Sequence, residues 1–301
     1  MAMNRQQFAA LLERGLNTVF GLTYKELPNQ WQKVFEVTNS KKAYEEDVLL
    51  EGLGLAPIKP EGSAIQYDSG YQLWTARYEH QNVASGFAIT EEMVDDDLYG
   101  NRGKAYAKSL ARGVAHTKEM LAAGVLNNAS NTDIKGGDGF PLLSATHPTS
   151  QAGDQTNLFV DADLSETALE NVIIKISEMT DDRGLFINAS AKQLIIPPAL
   201  QFTAERILKS ALQNDTADNA INAIRNMGML SKGCHIMTRL VDDENWFVQT
   251  DIPNGLKLMQ RNKLKKGMDV DFNTGNMRYK ATERYSVGFT DWRAVYGSIH
   301  S

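Results

Sequence analysis

The sequence predicts an α+β chain, and three observations carry that prediction. Residues 90–128 place apolar side chains at three- and four-residue steps and read as one long helix. Residues 45–88 are broken by Gly52, Gly54, Pro57, Pro60, Gly62 and Gly70 and read as an extended ribbon. From Gly184 onward strand and helix signals alternate, and the tail is rich in aromatic and β-branched residues.

Residues 3–20 form a short amphipathic helix, with Phe8, Leu11, Leu12, Leu16 and Val19 on one face and Gly21 near its end. A second helical piece over 28–34 carries Trp31 and is followed by Phe35. This N-terminal arm can lay its apolar face on another molecule or on its own core, and the sequence does not choose between them. The ribbon draws as two extended arms, 53–67 and 71–89, turned at Asp68-Ser69-Gly70. Tyr71, Leu73 and Thr75 alternate with Trp74, Ala76 and Tyr78, so both faces are partly apolar. A two-stranded ribbon is marginal in water alone, so this one lies on this chain's core or on a neighbouring subunit. Phe8, Leu12, Trp31, Phe35, Tyr71, Trp74 and Tyr78 are the candidate inter-subunit contacts.

Acids crowd the start of the long helix, where the positive end of the helix dipole favours them. Its stripe runs through Tyr106, Leu110, Val114, Leu121 and Val125, and its many alanines and glycines admit other backbone at close range. Residues 131–163 form a long loop tract, which is unusual in a compact protein unless functional or mobile. Residues 165–179 form a helix buried through Leu169, Val172, Ile173, Ile176 and Met179. An extended run over 184–196 ends at Pro197-Pro198, and helices follow over 199–213 and 216–225. Strands are predicted over 234–241, 245–250 and 256–261, and one or two long strands over 269–299 close a sheet.

The chain has 301 residues, a net charge of −6 and a pI of about 5.5, so the molecule as a whole is not a basic nucleic-acid binder. The single cysteine, Cys234, excludes an intrachain disulfide and a cysteine metal cluster. Residues 1–14 are polar and unlike a signal peptide, and no apolar run approaches the ~20 residues of a membrane span. No membrane partner is expected, and synthesis in the cytoplasm is the default.

Catalytic signatures are missing. There is no phosphate-binding glycine loop ending in Gly-Lys-Ser/Thr, no Gly-x-Ser-x-Gly elbow and no His-Glu-x-x-His. Gly136-Gly137-Asp138-Gly139 lacks the strand-to-helix setting of a dinucleotide site. The five histidines are scattered, and His147 in the loop tract is best read as structural. Asp95–Asp97 at a helix start and the 242–244 turn need no cation. No catalytic residue, cofactor or metal is expected. Lys257, Arg261, Lys263, Lys265 and Lys266 form a basic segment with no acid among them, able to touch phosphate or a partner's acids. A solvated basic face is the simpler reading.

The order of parts resembles the major capsid protein of tailed bacteriophages, the Hong Kong 97-type fold. So does the wording of 245–251, 255–259 and 285–293. Gly139-Phe-Pro-Leu-Leu143 with His147-Pro148 resembles the Mu-like branch. On this resemblance the chain divides into an N-terminal arm (1–45), an E-loop (46–89) and a P domain (90–183). The P domain holds the spine helix (90–128) and the loop 129–164. An A domain (184–255) and closing P-domain strands (256–301) follow. It implies self-assembly through pentamers and hexamers into an icosahedral head, a virion component assembled in the host bacterial cytoplasm. It further implies a separate scaffolding protein, a portal and packaged double-stranded DNA on the inner face. Buried area between subunits is expected above about 2,000 Å². An encapsulin-type compartment of the same fold is the nearest alternative. A hydrolase using 131–163 as a lid is the more distant one.

Overall fold

The structure, a computed structural model, describes residues 5–90, 92–93, 99–212, 221–271 and 273–300; of 5–11 and 99–101 only the backbone is described. Three sheets organise it. Strands β1 (Glu36–Asn39), β9 (Leu256–Val270), β10 (Met277–Phe289) and β4 (Gln81–Ile89) form a four-stranded sheet in that order. Strands β5 (Leu158–Val160), β11 (Val295–Ile299), β8 (Trp246–Thr250), β6 (Ala191–Ile196) and β7 (Cys234–Ile236) form a five-stranded one. Among the described residues, strands β2 (Tyr44–Leu50) and β3 (Gln72–Glu79) pair only with each other, as an antiparallel ribbon.

The long helix α2 (Tyr99–Asn127) has 29 residues, about 43 Å at ~1.5 Å per residue. Its first half packs on α1 (Arg5–Glu26) and on β10. Ala107 and Ala111 are small enough there to admit Leu16, Phe20 and Tyr279. Its second half carries Ala122, Ala123 and Leu126 into a core shared with Trp31, Phe35, Leu258 and Phe289. The third core lies under α3 (Glu166–Ser177), where Leu169, Val172 and Ile176 meet Leu194, Trp246 and Val248. Ser165 caps α3 by accepting from the Ala168 N–H at 3.1 Å. Helices α4 (Gln201–Lys209) and α5 (Ala223–Met227) flank the same sheet.

Several sequence expectations need correction. Helix α1 continues through Gly21 to Glu26 and is covered by α2 and the β9–β10 sheet of this same chain. The ribbon's first strand lies earlier than 53–67; residues 51–71 are irregular because four glycines and two prolines interrupt any ladder there. The second arm divides at His80, since β3 pairs with β2 while β4 pairs with β10. The strand drawn over 234–241 stops at Ile236, and β9 runs on to Val270. The long helix is described from Tyr99; residues 91 and 94–98 of its expected start, and 213–220 of the expected 199–213 and 216–225 helices, lie outside the described residues.

The 131–163 tract is packed, unlike a lid. Leu142 and Leu143 are buried, and Asn157 donates to the carbonyls of Leu142, Trp292 and Val295 at 2.7, 3.2 and 2.9 Å. Gly136 and Gly137 serve close packing: a Cβ there would lie 2.5 Å from the Phe289 ring and 2.6 Å from Trp74. Among the described residues no helix is long and apolar enough to cross a membrane, and no group of side chains is arranged to hold a metal.

Candidate assembly surface

The ribbon is bound to the body by three polar contacts along its length. At its base the chain crosses from β1 to β2 through Ser40 and from β3 to β4 through His80. His80 Nε2 lies 2.8 Å from Ser40 Oγ, and Nδ1 lies 3.0 Å from Ser286 Oγ of β10. Ser40 spends its hydroxyl proton on Glu45 Oε1 at 2.7 Å, so it accepts from Nε2–H, and Nδ1 accepts from Ser286. Burial, then Arg284 and Arg261, hold the imidazole below its usual pKa, with Glu45 opposing.

Midway, Asp47 of β2 pairs with Lys257 and accepts from the Thr290 hydroxyl at 2.7 Å. Tyr78 shares the Thr290 hydroxyl at 2.7 Å, and the Trp74 indole donates to the Thr290 carbonyl at 3.4 Å. At the outer end Arg183 reaches Asp68, Glu51 and the Ser69 carbonyl at 2.7, 3.1 and 2.7 Å.

Beyond these contacts the ribbon ends in residues 51–71, whose large apolar side chains lie in solvent. Ile58 is 96% and Tyr67 94% exposed, and Leu53, Leu55, Ile65 and Tyr71 are uncovered beside them. Fully burying a side chain of this size contributes about 1.5–3 kcal/mol. A solvated cluster of six on one projection marks an interaction surface.

The residues singled out in the sequence divide. Tyr71 is exposed on this surface and Trp74 half-buried beneath it. Trp31, Phe35 and Tyr78 are buried in the chain's own cores, which corrects their assignment as uncovered contact residues. Leu12 is half-buried against α2, and the Phe8 side chain lies outside the described residues. Sequence reasoning missed Leu53, Leu55, Ile58, Ile65 and Tyr67. Their signal is a set of apolar residues in a stretch too punctuated to bury them in a ladder.

The basic segment is not one patch, because strand alternation and a bulge in β9 separate its members. Lys257 is buried against Asp47, and Arg261 is half-buried with its guanidinium 3.5 Å from the Ser40 carbonyl. Lys266 lies over the Phe20 ring and donates to the Asn17 carbonyl at 3.1 Å. Lys263 and Lys265 are exposed.

The buried ionisable groups look structural. His147 stacks on Trp292 with centroids 4.1 Å apart, and its Nδ1 lies 2.7 Å from Asp138. Arg293 donates to Asp182 at 3.1 Å, and burial raises the carboxyl pKa of both Asp182 and Asp291. Burial raises the Cys234 thiol to about 11, away from nucleophilic thiolate chemistry. A groove of about 570 Å³ between the ribbon base and α2 is lined by Met120, Leu121, Val125, Ile134 and Phe289, and among the described residues Glu79 is its one carboxylate. It offers apolar packing rather than an acid–base pair.

The family model for phage capsid protein matches residues 77–298. Solved structures share the fold across nearly the whole chain. The virus-like particle from Pyrococcus furiosus is 11% identical, covering 94% of this chain and 98% of its own, with a TM-score of 0.55. The procapsid of bacteriophage JBD30 is 14% identical, with 99% and 77% covered and a TM-score of 0.56. The capsid of Myoviridae phage XM1 is 9% identical, with 91% and 92% covered and a TM-score of 0.54. No protein of curated function shows significant sequence similarity to the chain.

Proposed function

The chain belongs to the phage capsid protein family, and we propose from that membership that its subunits close through pentamers and hexamers into an icosahedral head around double-stranded DNA. It is a structural component of a virion, has the Hong Kong 97-type capsid fold, and acts as a subunit of a multimeric shell.

The finer assignment follows family behaviour. Residues 46–89 serve as the E-loop on an adjacent subunit, and 184–255 as the A domain at capsomer centres. Residues 90–183 with 256–301 serve as the P domain, and 1–45 as the arm. A separate scaffolding protein and a portal complete assembly, in the host bacterial cytoplasm. Lys263 and Lys265 are left to meet phosphate or a neighbour's acids, and Tyr71 and Trp74 to contribute to contacts between subunits.

One observation carries this reading: the apolar end of the ribbon, 51–71, is held away from every core of its own chain. Copies of the chain are what covers it. Sedimentation and electron microscopy of the purified protein test this directly. Capsomers or closed particles are expected; a stable monomer at high concentration overturns the proposal.

A further inference from the structure

We infer that Arg183 is a positioning residue: a forked latch that sets the 51–71 loop in its presenting orientation before a second copy arrives. The inference rests on the shell reading for what the loop meets, and on local geometry alone for the latch.

Arg183 sits on a turn that is itself fixed. The Asp181 carboxylate accepts the N–H groups of Arg183 and Leu185 at 2.9 and 2.8 Å, and Gly184 supplies the left-handed residue with φ 85°. The adjacent Asp182 is tied into the core through Arg293. From this anchor the guanidinium spans both ends of the loop. One nitrogen donates to Asp68, and the other to Glu51 and the Ser69 carbonyl. Glu51 and Asp68 therefore stay together although 17 positions apart. The Glu51 N–H donates to the Tyr71 carbonyl at 2.8 Å, closing the neck of the loop.

The loop answers with matching groups. Asp68 accepts from the Gly54 N–H at 2.7 Å, and Ser150 donates to Glu51 at 2.5 Å. Those bonds and the guanidinium hold both carboxyls below the usual carboxylate range. A Cβ at Gly54 would lie 3.1 Å from Arg183 and 3.2 Å from Asp68, so the glycine keeps the fork seated. Planar two-armed recognition of this kind needs arginine; lysine offers a point charge. A loop ordered in advance loses less conformational freedom on association than a free one. The latch thus speeds assembly without itself being an intermolecular contact.

The test compares the wild type with Arg183→Gln, Arg183→Lys and Asp68→Ala. Asp68→Ala cuts the fork from the loop side, away from the core, should Arg183→Gln misfold. Hydrogen exchange of the Glu51 and Gly54 amides in dilute, unassembled protein reads the latch. Light scattering at high concentration reads assembly. Arg183→Gln and Asp68→Ala are expected to speed exchange at both amides roughly tenfold or more and to slow assembly, with Arg183→Lys intermediate. Unchanged exchange in Asp68→Ala overturns the latch. Faster exchange with an unchanged assembly rate overturns its role in presentation. Failure of the wild type to assemble counts against the shell reading, while the exchange result still decides the latch.

Discussion

The Lys118 ammonium lies 3.4 Å from Glu283 Oε2, and both side chains are buried. The cation also sits 4.9 Å from the Trp31 ring centroid and 4.8 Å from that of Tyr285. The Tyr24 hydroxyl donates to the other carboxylate oxygen at 3.2 Å. One ion pair thus joins the N-terminal segment, α2 and β10 at the centre of the subunit. Removing one partner leaves the other charge buried alone, which costs about 3–5 kcal/mol. Lys118→Met is expected to lower subunit stability by that amount in urea unfolding of unassembled protein. The double variant Lys118→Met with Glu283→Gln should recover much of the loss. Equal losses in the single and double variants would show that the pair is not the cause.

The exposed loop supports the opposite kind of prediction. Ile58 and Tyr67 touch solvent almost completely. Ile58→Ser with Tyr67→Ser should leave subunit unfolding within about 0.5 kcal/mol of wild type, as surface changes do, yet prevent particle formation. Particles of normal yield in micrographs of that variant would remove the loop from the interface.

Much of this architecture was readable from residue order, and the failures have physical causes. The 3.6-residue period finds α2 and α3 because each buries one stripe; Leu169, Val172, Ile173 and Ile176 are all inward as expected, whereas Tyr106 of the α2 stripe is exposed, its ring resting on Phe87 at the edge of the core. The ribbon was legible as extended but not as divided, since pairing partners such as Tyr285 opposite Gln81 lie some 200 residues away. Whether Trp31 and Phe35 are covered by their own chain is not legible locally, because their cover, Ala122, Ala123 and Phe289, is also remote in sequence. Arg183 gave no local signal at all: its partners Glu51 and Asp68 meet it only through tertiary folding.

Asn157 tests whether the 131–163 tract is a structural plug. It is fully buried, donates to three carbonyls and accepts from the Ser144 N–H at 2.9 Å and from His147, 3.1 Å away. Asn157→Ala leaves several of these groups dry and unpaired, each costing about 1–3 kcal/mol. A loss of roughly 2–4 kcal/mol in urea unfolding is expected. A change below 1 kcal/mol, about the size of an ordinary surface effect, would mean that the tract is only loosely seated and open to a lid role.

Acid should loosen the subunit through its histidines. The pKa values of His80 and His235 are both lowered chiefly by burial, so each binds its proton more weakly folded than unfolded. Where the unfolded chain binds more protons, stability rises with pH. Their contribution is therefore complete above the ordinary histidine value of 6.5 and declines as pH falls from there through the depressed folded values. At His80 protonation falls on Nδ1, the nitrogen that accepts from Ser286, and places a cation facing Arg284 and Arg261, with Glu45 opposing them. Protonation there weakens the contact that ties the ribbon base to β10. His80→Gln keeps a donor and an acceptor but cannot titrate. It should cost stability at pH 7.5 and lose less than wild type between pH 7.5 and 5.5, measured as urea midpoints. Parallel midpoint shifts in the two proteins would place the acid response elsewhere.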